Sequence, residues 1–387
     1  MLKFVSSMEV DLDAIAFNFR SVTSHVAPAV MMPVIKGNGY GHGAVAVART
    51  LVETGARHLA VAKLVEAWEL RQAGIPSAVD ILIMTVTLPE EISCAADMGA
   101  SVFIPDVERL RHLKSIARGK PQPVGFHIKV DTGMGRLGFL PCEARQVAEE
   151  LRDAQNTRLL GIGTHLGASW ADNDHTTSQI GRFREFVAEV KPSPDVLLHV
   201  AASGGTIRIP EAYMTAVRTG SLTYGLNRIE WSPMPLKPAL TYRTTVGQVK
   251  TLPVGWQIGY GTDRTVTRPL RVATLPVGVI DGISSSMCGR AAFLIGGAKC
   301  RLITVCMDSC IVEIPDGLDV KAGSEAVVIG SQGGLTVTGR ELIIEAARTG
   351  FGTHLGHVTL RTPRVYYRGG RQVGMMWDTI REGVARI

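Results

Sequence analysis

The sequence predicts an α/β fold: an N-terminal (β/α)8 barrel of the TIM type over residues 9–232, then a C-terminal mainly-β domain over residues 239–387 with which residues 1–8 pair. Three observations carry this. Eight short runs rich in Val, Ile and Leu alternate with helical patterns through the first two-thirds of the chain, the rhythm of strand–helix units around a parallel sheet. Beyond Tyr224-Gly225 β-branched runs follow one another closely, broken by Gly, Pro and Asp turns, as in an all-β domain. Between the two lies Trp231-Ser232-Pro233-Met234-Pro235-Leu236-Lys237-Pro238, whose prolines mark a linker.

In chain order the barrel runs are 33–36, 58–62, 79–84, 100–104, 124–130, 159–164, 196–200 and 214–218. The intervening helices have recognisable stops: 44–53 runs into Gly55, and 64–72 runs into Gly74 and Pro76, residues that end a helix by backbone freedom or by lacking an N–H donor. In the second domain the runs are 246–252, 270–279, 291–295, 302–305 and 326–329.

Composition narrows the class. A chain of 387 residues with 45% hydrophobic and 20% charged residues buries a large core and is long enough for two domains. The formal charge of +6 comes from scattered Lys and Arg without a basic block, which argues against nucleic-acid or membrane surfaces and leaves a mild attraction for small anions. Neither a signal-peptide core nor a bilayer-length apolar run is apparent, so a cytoplasmic location is expected. The six cysteines lack framework spacing, Cys306 and Cys310 reading as reduced residues flanking a strand, and no metal site is indicated.

The chemistry concentrates at strand ends, where barrel active sites form. Lys36 ends the first run and opens the turn Gly37-Asn38-Gly39-Tyr40-Gly41-His42-Gly43. A poorly hydrated lysine there has a pKa below the ~10.4 of a free side chain, and its neutral amine can form a Schiff base with a carbonyl cofactor. Lys129 lies at the end of the fifth run and Arg136 follows it, His165 follows the sixth and Ser203 the seventh, and Arg218 closes the eighth. Singly each reads as a solvated loop residue; their joint placement does not.

Lys36 to Gly43 resembles the pyridoxal-phosphate signature of the alanine racemases, and the resemblance extends through Val10-Asp11-Leu12, 129–139, Thr164-His165, Arg218-Thr219-Gly220, Gly259-Tyr260-Gly261, Cys306-Met307-Asp308 and 361–365. It implies racemisation of an α-amino acid, with alanine the expected substrate, by a homodimer using pyridoxal 5'-phosphate and two bases. Lys36 would hold the cofactor as a Schiff base and serve the D enantiomer; Tyr260, from the partner's β domain, would serve the L enantiomer, supported by His165. Tyr40, Ser203, Gly220 and Ser221 would hold the phosphate. Arg136 would contact the cofactor phenolate and the substrate carboxylate, with Lys129 behind it, as a carbamate in some relatives. Met307, in the Met307-Asp308 pair, would offer its backbone N–H to that carboxylate. Arg218 would donate to the pyridine nitrogen; an always-charged arginine keeps that nitrogen unprotonated and favours plain proton transfer over deeper carbanion chemistry.

Departures from the resemblance cluster at the expected substrate entrance: Val279 stands where a tyrosine is usual, Ser285 where an arginine is, and Phe351-Gly352 occupies the region of a Tyr-Glu pair. Ala202 replaces an Asn before Ser203, and Trp170 replaces a small residue or Asp. A racemase of broader specificity, taking serine or basic amino acids, is therefore the second expectation. An aldolase or decarboxylase of the same fold is disfavoured by Arg218 and Tyr260, and a non-catalytic cofactor-binding protein would not need Tyr260 with Met307-Asp308.

Overall fold

The computed structural model describes residues 4–152, 154–171, 174–227, 229, 231–260, 264–342 and 362–376. The chain divides into two compact units, one of Ile15–Gly39 and Ala44–Lys237, the other of Met1–Ala14, Tyr40–Gly43 and Pro238–Ile387.

Strand β1 (Ser6–Asp11) belongs to the second unit. The first is built on eight parallel strands: β2 (Val30–Pro33), β3 (His58–Val61), β4 (Asp80–Ile83), β5 (Ser101–Ile104), β6 (Val124–Lys129), β7 (Thr157–Gly163), β8 (Leu197–Ala202) and β9 (Ala216–Thr219). Each pairs with the next from β3 to β9, and β9 pairs with β2. A parallel bridge between Val34 and Ala60, with the Ile35 N–H donating to the Ala60 carbonyl at 2.8 Å, joins β2 to β3. The ring is thereby closed and leaves no edge unpaired. Most of the strands are buried along nearly their whole length, as parallel strands with helices outside them must be. Helix Val107–Ala117 shows how the outer layer is written: Asp106 caps it by accepting the Arg109 N–H at 2.8 Å, and Leu110, Leu113 and Ala117 form its buried stripe.

The helices at Ala44–Glu53 and Leu64–Gln72 fall on the expected bounds. The first strand does not. It ends at Pro33, and Lys36 lies three residues beyond it at the head of a left-handed turn in which Gly37, Asn38, Gly39 and Tyr40 have φ of 62, 53, 62 and 52°. Four consecutive residues at positive φ cannot continue a strand, and glycine at two of them removes the Cβ that makes this conformation costly.

The second unit contains β1, β10 (Leu240–Thr245), β11 (Gln248–Leu252), β12 (Leu270–Leu275), β13 (Ala292–Ile295), β14 (Ala298–Val305), β15 (Cys310–Glu313), β16 (Glu325–Gln332), β17 (Leu335–Val337), β18 (Arg364–Arg368) and β19 (Arg371–Met376). β1 lies between β10, antiparallel, and β18, parallel. The run 246–252 proves to be a junction and a strand, since Val246 and Gly247 separate β10 from β11, which pairs with β12. Cys306 and Cys310 flank the turn between β14 and β15, not a strand, and β10, β15, β17, β18 and β19 lie outside the expected runs.

Candidate active site

In the barrel the site is built at the C-terminal ends of the strands. Lys129 is the last residue of β6, His165 lies two residues past β7, Ser203 directly follows β8, and Arg218 is the penultimate residue of β9. The structure brings Lys36, Lys129, Arg136, His165 and Arg218 into one field of positive charge. The Lys36 side chain still reaches solvent, yet desolvation by the surrounding protein lowers its pKa, Arg136 and then Arg218 add to the shift, and Glu66 opposes it. Burial and the guanidinium groups of Arg218 and Arg136 bring Lys129 down to about 7. Burial, followed by Arg218, Arg136, Lys129 and Lys36, brings His165 down to about 3, so its imidazole is neutral near pH 7.

Each of these groups is held from behind. Glu66 clasps the Lys36 turn to the neighbouring loop: Oε1 accepts the Gly37 N–H at 2.6 Å, and Oε2 accepts those of Ala62 at 2.6 Å and Lys63 at 3.0 Å. Lys129 donates to the Val130 carbonyl at 3.0 Å, with its Nζ 5.7 Å from the Phe103 ring centroid, within cation–π range. The loop bearing Arg136 is folded around Asp131, which accepts four backbone N–H groups, from Gly133, Met134, Gly135 and Arg136. Buried Arg218 donates through Nη1 to His199 Nδ1 at 2.7 Å and to the His199 carbonyl at 2.6 Å, and through Nη2 to the Thr164 carbonyl at 2.5 Å. Burial, then Arg136, pushes its pKa down to about 10, which leaves it charged at neutral pH. The Ser203 hydroxyl accepts the Gly220 N–H at 3.1 Å, so Ser203 lies against Gly220 and the adjoining Ser221 in a cluster of small polar residues. Trp170 lies beside it: a Cβ on Gly204 would come within 3.0 Å of the indole.

The remaining expected residues lie in the second unit. Tyr40 closes the left-handed turn and is half-buried. Tyr260 projects from the chain with 80% of its surface exposed. Met307 and Asp308 are exposed in the β14–β15 turn, and Ile280, next to Val279, donates its N–H to the Met307 carbonyl at 3.1 Å. Gly261, Phe351, Gly352 and Arg361 lie outside the described residues. Sequence reasoning passed over Glu66, Asp131 and His199. Asp131 carried a signal, an Asp two residues ahead of Gly-Met-Gly, the residue type that collects turn N–H groups; His199 and Glu66 had none, being a lone histidine in an apolar run and a glutamate on a helix.

A barrel with a depressed lysine amine at its mouth, ringed by other cations and small polar donors, defines an enzyme that holds an anionic carbonyl cofactor. The comparisons with known proteins give the particular family. The alanine racemase N-terminal domain model matches residues 10–228 and the C-terminal domain model matches residues 239–366, and the chain belongs to the alanine racemase family. The alanine racemase of Symbiobacterium thermophilum is 37% identical over 368 residues, covering 92% of this chain and 96% of that protein. Among solved structures, the Bacillus anthracis alanine racemase with bound L-Ala-P is similar at a TM-score of 0.87 and 28% identity, over 99% of this chain and 100% of that one. The Bartonella henselae alanine racemase with covalently bound pyridoxal phosphate is similar at a TM-score of 0.84 and 26% identity, over 94% and 100%.

Proposed function

We propose that this protein interconverts L- and D-alanine with pyridoxal 5'-phosphate held in the barrel. The observation that carries the reading is the Lys36 amine, whose pKa is lowered by its surroundings at the head of a turn facing Arg136 and Arg218. The residues present fit the cofactor: a low-pKa amine suits an aldehyde, the cation cluster suits a phosphate and a phenolate, and the Ser203 hydroxyl, whose oxygen accepts the Gly220 N–H, keeps its own proton to donate to an anion.

Once bound, the cofactor supplies the electron-withdrawing ring and carbonyl that acidify the α-C–H of an amino acid. The chain's own residues do the rest. Lys36 anchors the cofactor and moves the α-proton on one face. Tyr260 moves it on the other, because a single base would have to cross the cofactor plane to reach both faces. His165, neutral near pH 7, can hydrogen-bond a phenol without adding charge. Arg136, fixed by Asp131 with Lys129 behind it, binds the substrate carboxylate, to which the Met307 N–H, beside Asp308, also donates. Arg218 donates to the ring nitrogen, and Tyr40, Ser203, Gly220 and Ser221 bind the phosphate. We read the working form as a homodimer in which Tyr260 of one copy serves Lys36 of the other. No described helix is long and apolar enough to cross a membrane, and we read the enzyme as cytoplasmic, acting on free amino acid.

The test is incubation of the purified holoenzyme with L-alanine and chiral analysis of the product. Accumulation of D-alanine toward an equal mixture is expected; recovery of L-alanine alone, or loss of the amino acid to a keto acid or amine, rejects the reading.

A further inference from the structure

We propose that His199, His127 and Asp80 are positioning residues for Arg218, forming a one-way chain of ring nitrogens through the barrel interior that aims the guanidinium at an acceptor nitrogen of the cofactor and leaves its charge uncompensated. The inference rests on the cofactor reading above and goes beyond it, into side chains that touch neither cofactor nor substrate.

The direction of every link follows from donor counting. Arginine has only N–H donors, so His199 Nδ1, 2.7 Å from Arg218 Nη1, must accept. A neutral imidazole has one donor and one acceptor. His199 therefore carries its proton on Nε2 and donates to His127 Nδ1 at 2.9 Å. His127 must then be protonated on Nε2, and that buried nitrogen, which makes no hydrogen bond, points its proton toward the Asp80 carboxylate, with Oδ2 3.6 Å away, beyond normal hydrogen-bond length. Asp80 Oδ1 accepts the Ser101 hydroxyl at 2.7 Å, and Oδ2 lies 3.5 Å from His58 Nδ1. Reversing any link would set two donors or two acceptors face to face. Since Asp80 and His58 are the first residues of β4 and β3 while Arg218 is near the end of β9, the chain connects the floor of the barrel to its mouth.

The barrel is shaped around these rings. A Cβ on Gly161 would come within 2.4 Å of His127 Nδ1, and one on Gly163 within 2.4 Å of His199 Cε1, so the glycines of β7 leave the space that the two imidazoles fill. Phe103 stacks on His199 with centroids 5.6 Å apart and meets His127 edge-on at 6.0 Å, which fixes both ring planes. A barrel that needed only to bury an arginine would set a carboxylate against it. Here, among the described residues, no carboxylate lies within ion-pair distance of Arg218; a neutral imidazole stands there instead, and the carboxylate is held two rings away. Arg218 is thus oriented without being neutralised, and its charge is left for the mouth of the barrel.

The test uses the holoenzyme labelled with 15N-histidine. At pH 8 the ring nitrogens of His127 and His199 should both report neutral imidazole protonated on Nε2. Asp80→Asn should alter the His127 pattern, shift the cofactor absorbance band and lower kcat for alanine by roughly tenfold or more with KM little changed. His199→Leu should do the same more severely, and His199→Gln, which restores an acceptor, should recover part of the loss. A wild-type spectrum with either ring protonated on Nδ1, or charged, overturns the proposal whether or not the variants fold. So does an Asp80→Asn protein with unaltered ring signals and kcat. A wild-type protein that takes up no cofactor would instead defeat the proposed function, while the tautomers would still decide whether the chain exists.

Discussion

Asp131 holds Arg136 through the backbone: its Oδ2 accepts the Arg136 N–H at 2.7 Å while Oδ1 gathers the N–H groups of Gly133, Met134 and Gly135 between 2.8 and 3.1 Å. Burial works against the Asp131 charge, but the four donors outweigh it and its pKa falls. Removing the carboxylate orphans those donors and frees the loop. Asp131→Ala should cost about 1.5–3 kcal/mol of stability, the worth of a charge-assisted hydrogen bond whose partners are left behind, and should raise KM for alanine more than it lowers kcat. Denaturant unfolding and steady-state kinetics check both; an unchanged KM would separate Arg136 from the substrate carboxylate.

His165 gives a pH dependence of known sign. Its folded-state pKa of about 3 lies below the ordinary histidine value of 6.5, so between these values the unfolded chain carries a proton that the folded chain does not. Stability of the cofactor-free protein should therefore rise with pH across that window, by at most about 1.4 kcal/mol per pH unit from this residue. His165→Asn should flatten the upper part of the slope, above pH 5, where carboxylates contribute little. An identical slope in the variant would show that the imidazole is already protonated in the folded state.

Much of this was legible from the sequence, for a physical reason. The Val/Ile/Leu runs of a parallel barrel are buried on both faces and read as continuous apolar stretches, so 58–62 and 100–104 overlie β3 and β5. The left-handed turn after Lys36 misled because Val34 and Ile35 look like strand, while the geometry is dictated by the glycines that follow. In the β domain the hairpin arms β18 and β19 alternate buried and exposed residues too irregularly to stand out. The site residues at strand ends were readable as polar punctuation. Glu66, His127 and His199 were not, since what defines them is whom they meet in space: the Lys36 turn and its neighbouring loop for Glu66, and residues on other strands of the barrel for the two histidines.

If the site is shared between copies, two inactive variants can complement. Lys36→Ala and Tyr260→Phe should each have little activity, and mixing them under conditions where subunits exchange should restore a fraction of it, because some heterodimers hold one intact Lys36–Tyr260 pair. Tyr260 is suited to this by its exposure. Demonstrated exchange without recovered activity would favour a site built within one chain.

If Val279 and Ser285 line the substrate entrance, as the resemblance implies, they bear on specificity. Val279 is exposed, and its N–H donates to the Cys306 carbonyl at 3.0 Å in the turn packed beside Met307; Ser285 opens the next turn. One methylene in a pocket changes discrimination by about 1–3 kcal/mol, so serine or longer amino acids should be racemised at rates approaching that of alanine, and Val279→Tyr should narrow the range. A panel of amino acids assayed by chiral chromatography decides it, and strict alanine preference in the wild type would refute the expectation.

The two-base assignment is tested most directly by α-hydrogen exchange in heavy water with the Tyr260→Phe holoenzyme. Loss of a positioned general acid–base should slow racemisation in both directions by roughly 10²–10⁴. Lys36 remains and can still remove and return the α-proton on its own face. The variant should therefore exchange the α-hydrogen of D-alanine for deuterium much faster than it converts D to L, while barely exchanging that of L-alanine. Equal exchange of both enantiomers would contradict the assignment of Lys36 and Tyr260 to opposite faces.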